Sequence, residues 1–155
     1  PCAGIDNPIS PARGRRGEGA LIAGVGGFIN ITQSARAVVF MGTLTAGGLE
    51  VRVEQDQLRI AREGRVKKIV PEVSHLSFNG PYVASLGVPV LYITERAVFE
   101  MRADAQGDAR LTLVEIAPGV DLQRDVLDQC ATPVAVADDL RLMDARLFRP
   151  GVMKL

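Results

Sequence analysis

The chain has 155 residues, 47% of them hydrophobic and 23% charged, which fits one ordinary domain with a single core. Its 18 basic and 18 acidic side chains cancel, so we expect neither nucleic acid nor an anionic membrane surface as a partner. Apolar runs such as residues 88–93 are too short to cross a bilayer, and we expect a soluble, cytoplasmic protein.

The N-terminal region changes character at residue 20. Residues 1–19 are rich in proline, glycine and charge, which predicts a loop or disordered arm, and residues 20–155 are expected to form the folded domain. A short apolar run from Ala20, a glycine turn, residues 28–35 and the apolar run 38–41 predict strand, turn, helix and strand. Two strands around one helix form a βαβ unit, which favours a parallel sheet.

Two later regions alternate apolar and polar residues as antiparallel hairpins do. Residues 49–54 and 58–62 alternate around the polar turn Gln55-Asp56-Gln57, and residues 97–102 and 110–116 alternate around a turn at 104–108. Between the hairpins the sequence predicts three more strands and a short helix from Asn79-Gly80-Pro81 to Leu86. These strands are expected over residues 67–70, 74–78 and 88–93.

After the second hairpin, Asp121 is expected to cap a helix over residues 122–130, followed by a short apolar piece at 134–136. The acidic residues beyond it are expected to form a solvated turn and not a metal site: Asp138, Asp139 and Asp144. The predicted fold class is therefore α/β, with a mostly parallel central sheet, helices and appended antiparallel β-hairpins.

Cysteine and histidine are too sparse to predict a metal centre. Cys2 and Cys130 lie near opposite ends of the chain without CxxC spacing, and His75 is the single histidine. We therefore expect no metal site and no disulfide framework, and a reducing compartment. A lone histidine on a strand is more often structural or exposed than catalytic, and this is the role predicted for His75.

The turn Gly24-Val25-Gly26-Gly27 is the most informative local feature. Glycines between a strand and a helix allow backbone N–H groups to approach an anion closely. A dinucleotide fingerprint would need a third glycine at the position of Ile29, and a phosphate loop would need GKS or GKT. The glycines alone therefore fit a plain tight turn as well as a ligand site.

Thr94-Glu95-Arg96 directly follows a predicted buried strand. Ligands in open α/β sheets gather at the carboxyl ends of strands, so these polar residues could line a site. The alternative is an ion pair that braces the strand end, and we favour this second interpretation.

Five collinear blocks carry a family resemblance. They are IAGVGGFINITQ at 22–33, VFMGTLTAGG at 39–48, LYITERAVF at 91–99, LVEIAPGVD at 113–121 and DLRLMD at 139–144. From residue 22 to residue 150, the sequence resembles the C-terminal segment of the family I CoA-transferases, which include acetate CoA-transferases and the succinyl-CoA:3-ketoacid enzyme.

The resemblance implies ping-pong transfer of CoA between an acyl-CoA and a carboxylic acid, in short-chain acyl-CoA, ketone-body or fatty-acid metabolism. In the family the GxGG turn borders the active site, so the resemblance implies CoA contact and an oxyanion-hole role at Gly26 and Gly27. Gly24 and Phe28 are expected to support that loop. Coenzyme A is implied as a substrate, with no covalently bound cofactor.

The nucleophile of the family is a glutamate in an ExG motif well upstream of the turn, and the chain shows no counterpart of it. Glu18 lies too close to the turn, so no catalytic residue is assigned. The resemblance therefore implies a piece of a larger enzyme, inactive alone, that acts as a homo-oligomer or with a complementing CoA-transferase chain. A non-catalytic assembly or binding module is the alternative, and a sugar-phosphate isomerase or regulator of similar fold ranks last.

Overall fold

The computed structural model describes residues 26–73, 76–104 and 107–149. They form an α/β fold with two short helices, α1 (Phe28–Ser34) and α2 (Gly80–Ser85). The predicted α/β class is confirmed. The strands are β1 (Val38–Met41), β2 (Thr45–Ala46), β3 (Glu50–Glu54), β4 (Gln57–Arg62), β5 (Val66–Lys67), β6 (Val90–Ile93), β7 (Ala97–Ala103), β8 (Ala109–Ile116) and β9 (Ala135–Leu142).

The central sheet has five strands in the order β1-β6-β7-β8-β9. β1 runs parallel to β6 and β8 runs parallel to β9, whereas β6-β7 and β7-β8 are antiparallel. The sheet is therefore mixed, and the expectation of a mostly parallel sheet was wrong in this detail. The second predicted hairpin is not appended: it forms β7 and β8 in the middle of the sheet, and its short turn makes these two strands antiparallel neighbours.

The first predicted hairpin is confirmed as β3 and β4, which form a sheet of their own. Its turn residues Gln55 and Asp56 have φ angles of 54° and 61°, as a two-residue turn with left-handed backbone requires. Leu58 of β4 is buried in the core, whereas every residue of β3 is exposed. The hairpin therefore packs through one strand only.

The short connecting segments differ most from expectation. The strand predicted over 67–70 is limited to Val66–Lys67, which pairs with β2. The strand predicted over 74–78 was wrong for residues 76–78, and Ser74 and His75 lie outside the described residues. Phe78 is buried edge-on against Phe40 at a centroid distance of 5.1 Å, so packing, and not strand pairing, fixes this segment.

The C-terminal part contains one strand where the sequence predicted two pieces. Asp121 caps its helix as predicted, accepting a hydrogen bond from the Arg124 N–H at 2.7 Å, but the helix is a π-helical turn (Leu122–Val126) followed by a 3₁₀ turn (Leu127–Gln129). β9 then extends through Asp138 and Asp139, so the predicted acidic turn was wrong there. A final 3₁₀ turn covers Ala145–Phe148.

Three buried clusters hold these elements together. One joins the β3-β4 hairpin to β8 and β9, the second lies under the π-helical turn, and the third packs α1 and α2 on β1 and β6. Val90 and Phe99 are completely buried, so the middle of the sheet is covered. No helix among the described residues is long and apolar enough to span a membrane.

Candidate functional site

The described part of the glycine turn, Gly26 and Gly27, is exposed at the surface. Gly26 has a φ angle of +55°, in the left-handed region that favours glycine, and a Cβ built on it would meet no atom within 4 Å. Gly27 is also exposed, and its carbonyl accepts a hydrogen bond from the Ile31 N–H at 2.9 Å. Gly24, the first glycine of the predicted site, lies outside the described residues.

Helix α1 begins directly after this turn. The first N–H groups of any helix have no intrahelical acceptor, and Gly27 has no side chain to cap them. They therefore remain available to an acceptor from outside the helix. Phe28, the fourth residue of the predicted site, is half-buried and packs against Phe40 with ring centroids 6.1 Å apart.

The turn lies at the edge of the sheet where β1 and β6 end. The Phe28–Phe40 contact places the start of α1 beside the penultimate residue of β1. Beyond the two strands, the Gly42 N–H donates to the Ile93 carbonyl at 3.0 Å. Carboxyl ends of parallel strands are where ligands bind in open α/β sheets, so the glycine turn occupies the expected position for a site.

Two exposed polar residues at this edge, Thr43 and Lys68, were not identified from the sequence. The Lys68 ammonium donates to the Thr43 hydroxyl oxygen at 2.9 Å, and that hydroxyl in turn donates to the Thr45 carbonyl at 2.6 Å. Lys68 was expected only as part of a strand. The signal in the sequence that could have indicated Lys68 is its place just after the first hairpin, in the segment whose strand β5 pairs with β2. We call Gly26, Gly27, Gly42, Thr43 and Lys68 the carboxyl edge.

A buried arginine lies behind this edge. Arg96 is 0% exposed, and its guanidinium donates to Glu95 at 2.5 Å and to Glu63 at 2.6 Å. It also donates to the Asp125 carbonyl at 3.0 Å. The favoured interpretation of Thr94-Glu95-Arg96 as a bracing ion pair is therefore confirmed.

Both carboxylates of this cluster have further donors. Glu95 accepts from the Leu44 N–H at 2.9 Å, and Glu63 accepts from the Gly64 N–H at 2.9 Å and from the Thr45 hydroxyl. We call Arg96, Glu63, Glu95 and Thr45 the Arg96 junction, because it joins the end of β6, β2, the loop after β4 and the π-helical turn. Its groups already have partners within the chain.

The charges of the junction stabilise each other. Burial on its own lowers the pKa of Arg96, but hydrogen bonds to Glu63 and Glu95 outweigh it and hold that pKa above its ordinary value. Burial likewise works to raise the pKa of Glu63, yet hydrogen bonds from Arg96, Thr45 and Gly64 hold it below the ordinary value. Glu63 therefore remains an anion at neutral pH and is unsuited to act as a proton donor.

An open groove of about 410 Å³ lies beside the junction and has three arginines in its lining. Arg62 pairs with Glu50 at 2.6 Å and Arg124 pairs with Asp125 at 2.7 Å. The third, Arg59, donates to the Gln57 side chain at 2.9 Å. Two of the three positive charges are thus paired with carboxylates, which weakens the case for an anion site in this groove.

The remaining candidates have structural environments. Cys130 is buried, its thiol donates to the Val126 carbonyl at 3.4 Å, and burial raises its pKa to about 11, so the reactive thiolate is disfavoured. Asp139 pairs with Arg102 at 2.9 Å, and Asp144 pairs with Arg146 at 2.6 Å. Cys2 lies outside the described residues.

Comparison with known proteins gives a consistent set of relatives, although no family model matches the chain. It is 45% identical over 132 residues to acetate CoA-transferase YdiF of Escherichia coli (strain K12), covering 85% of this chain and 24% of that protein. It is 46% identical over 132 residues to caffeate CoA-transferase of Acetobacterium woodii, with the same coverage of 85% and 24%.

Solved structures agree with the sequence relatives. The chain is similar to acyl-CoA transferase YdiF from E. coli O157:H7 in a thioester complex with CoA, with a TM-score of 0.76, 43% identity and coverage of 88% of this chain and 26% of that one. The apoenzyme of the same protein gives a TM-score of 0.77, with coverage of 89% and 26%. The chain thus spans about a quarter of the length of the proteins it matches.

Proposed function

Because this chain is related to the CoA-transferases, we propose that it forms part of an enzyme that transfers CoA from an acyl-CoA to a carboxylic acid. The observation that carries the proposal is the exposed glycine turn at the carboxyl edge, within a segment 45% identical to an acetate CoA-transferase. The substrates proposed are short-chain acyl-CoAs or 3-ketoacids, as in ketone-body or fatty-acid metabolism. The proposed compartment is the cytoplasm.

The proposed reaction proceeds through a glutamyl-CoA thioester. A glutamate carboxylate from outside this chain attacks the acyl-CoA carbonyl, and CoA leaves as a thiolate to give an acyl-glutamyl anhydride. The thiolate then attacks the glutamyl carbonyl, which releases the first carboxylic acid and forms the glutamyl-CoA thioester. A second carboxylate reverses both steps, leaves with CoA and regenerates the glutamate.

Each addition in this sequence places negative charge on a carbonyl oxygen. Backbone N–H groups lower the energy of such an oxyanion when they are fixed in position before the reaction. The N–H groups at Gly26, Gly27 and the start of α1 are proposed for this role, because both glycines are exposed and no side chain caps the start of the helix. We assign CoA contact to Gly24, Gly26 and Gly27, with Phe28 anchoring the turn on Phe40.

A substitution at Gly27 separates binding from folding. A Cβ at this position would lie 3.5 Å from its nearest neighbour, Ile31 Cδ1, so Gly27→Ala is expected to fold normally. Its methyl group would occupy the surface that the thioester approaches. We expect weaker CoA binding by calorimetry with an unchanged urea midpoint. Equal CoA affinity in Gly27→Ala and the parent chain would contradict the assignment of this turn.

The proposed inactivity of the chain alone is tested directly. CoA exchange between acetyl-CoA and acetate should be undetectable, since the covalent intermediate needs a glutamate that the chain does not supply. Addition of the remaining part of a related CoA-transferase as a separate polypeptide should restore exchange if the two pieces associate. Robust exchange by this chain alone would mean that the nucleophile is among its own residues.

One observation favours the alternative of a non-catalytic assembly module. β1 lies at the end of the described five-stranded sheet, and three large apolar side chains are exposed on or beside it: Ile31 at 70%, Val39 at 51% and Met41 at 79%. A strand edge that no described strand pairs with, and that has apolar neighbours, is suited to pairing with another chain. Either a complementing CoA-transferase chain or a second copy of this chain fits that surface.

Sedimentation velocity over a range of protein concentrations distinguishes these assemblies. A second copy gives a concentration-dependent increase in sedimentation coefficient, and Met41→Lys should abolish it. A complementing chain gives a faster species only when that chain is added. If the parent chain remains monomeric under both conditions, the assembly module is ruled out. The support for the enzyme proposal would then come from CoA binding alone.

A further inference from the structure

We propose that Lys68 is a substrate-binding residue that holds an anionic oxygen, from a carboxylate or a phosphate, at the carboxyl edge. The inference rests on the proposed function, since that function supplies ligands of this chemistry. Every proposed substrate carries such oxygens: CoA has phosphates, and the donor and acceptor acids have carboxylates.

The position of the ammonium is defined by its contacts. Lys68 Nζ donates to the Thr43 hydroxyl oxygen at 2.9 Å, and the Thr43 proton is directed at the Thr45 carbonyl at 2.6 Å. The hydroxyl is thereby fixed as an acceptor for the lysine. An ammonium has three N–H donors, and two of them have no acceptor among the residues that the structure describes, which leaves them for an external ligand.

The surroundings leave this charge unneutralised. Among the residues that the structure describes, no carboxylate forms a salt bridge with Lys68. Glu95, which follows β6, and Glu63, which follows β4, are both hydrogen-bonded to Arg96. The positive charge at this edge is therefore available to a ligand.

Space for the ligand is provided by Gly42. A Cβ built at this glycine would lie in ordinary contact with Lys68 Nζ at 3.7 Å, so the glycine leaves the space beside the ammonium open. Gly42, Thr43 and Lys68 are all exposed. Gly42 and Thr43 directly follow β1, and the contact with Thr43 brings the Lys68 ammonium to the same place. An anion bound to Lys68 would accordingly lie at the same end of β1 as the start of α1.

The neighbouring Lys67 provides a matched control. Its ammonium donates to the Asp128 carbonyl at 2.5 Å, in the 3₁₀ turn, and not to Thr43. Lys67→Met and Lys68→Met therefore remove the same charge from adjacent positions of one chain. A general effect of net charge on anion binding would appear equally in both variants.

The experiment is calorimetric titration of the full chain and its variants with CoA, with pantetheine, which has no phosphate, and with acetate. Loss of a charged hydrogen-bond donor should weaken binding of the anion roughly tenfold in Lys68→Met, whereas Lys67→Met should match the parent chain. Lys68→Arg, which keeps the charge, should retain most of the affinity. Urea unfolding of each variant verifies that the fold is intact.

The pattern across ligands identifies the source of the anion. A loss for CoA but not for pantetheine assigns Lys68 to a phosphate, and a loss for acetate assigns it to the carboxylic acid. If the parent chain binds CoA and Lys68→Met binds all three ligands as Lys67→Met does, the inference is wrong and the proposed function stands. If acetate binds through Lys68 but CoA does not bind, the proposed function is wrong and the assignment of Lys68 as an anion-binding residue stands. If none of the three ligands binds, both proposals are wrong.

Discussion

The Arg96 junction and the carboxyl edge lie at the same end of the sheet, yet they use polar groups in opposite ways. In the junction, a completely buried arginine and two glutamates bind one another and nearby backbone groups. At the carboxyl edge, the glycines and Lys68 are exposed, and the lysine has one hydrogen bond to a hydroxyl oxygen.

This contrast shows which feature distinguishes a binding surface from a brace. Charge density is higher in the junction, and a search for charged clusters alone would choose it as the site. However, its donors and acceptors already have partners within the chain, so a ligand would have to displace them. At the carboxyl edge, the N–H groups of Gly26 and Gly27 have no such partner among the described residues, and free N–H groups are what a thioester or an anion needs.

The largest expected effect comes from breaking the junction. Arg96→Met leaves two poorly hydrated carboxylates without their cation, and we expect a loss of about 3–5 kcal/mol in the free energy of unfolding. Urea unfolding followed by circular dichroism measures it. The midpoint should fall far below that of the parent chain, because the side chain of Arg96 is 0% exposed.

A triple variant shows whether unpaired charge causes that loss. Adding Glu63→Gln and Glu95→Gln to Arg96→Met removes both uncompensated carboxylates, so part of the stability should return. If the triple variant is no more stable than Arg96→Met, then packing or geometry, and not charge pairing, is what Arg96 contributes.

The two regions also differ in the room that they leave for a side chain at a glycine. A Cβ at Gly64 would lie 2.6 Å from the Ala46 carbonyl oxygen and 2.6 Å from the Thr45 hydroxyl, and neither can move away freely. Gly64→Ala should therefore cost about 1–3 kcal/mol of unfolding free energy. Gly42→Ala, at the carboxyl edge, meets only Lys68 Nζ at 3.7 Å and should unfold at the parent's urea concentration. Equal midpoints for the two variants would contradict this difference.

Local patterns were sufficient to predict much of this fold. The alternation around Gln55-Asp56 predicted the first hairpin, Asp121 was recognised as a cap, and Thr94-Glu95-Arg96 was interpreted correctly as a bracing pair. Each depends on residues close in sequence. The strand order was less accessible, because the pattern of a hairpin does not reveal whether it joins the middle of a sheet or packs outside it.

Contacts between distant residues were not predictable in the same way. Glu63, which lies 33 positions before Arg96, gave no sign of its role in the junction. Lys68 bonds to Thr43 across 25 positions, and only the fold brings them together. Residues 135–142 were divided because acidic residues follow an apolar run, whereas residues 135–136 and 141–142 both pair with β8, on either side of a register shift that contains Asp138 and Asp139. Tertiary pairing overrides local propensity at such positions.

The junction should also contribute a dependence of stability on pH. The pKa of Glu63 is lower in the folded chain than in the unfolded one, where the pKa of a glutamate is about 4.3. Its contribution is therefore complete above that value and is lost as the pH falls through the lower folded pKa. Urea midpoints from pH 7 to pH 3 should decrease more in the parent chain than in Glu63→Gln. Parallel curves would mean that Glu63 does not carry this effect.

The smallest effect is expected where an equally short ion pair is exposed. Arg146 and Asp144 approach to 2.6 Å, as Arg96 and Glu63 do, but their side chains are 52% and 44% exposed. The pKa of Asp144 is lowered to about 2, first by the Arg146 side chain and then by the Arg146 backbone N–H. Arg146→Gln keeps that backbone hydrogen bond, and water solvates the carboxylate that loses its cation. The urea midpoint should therefore be unchanged within error. A loss like that of Arg96→Met would mean that the short distance of an ion pair, and not its burial, determines its contribution to stability.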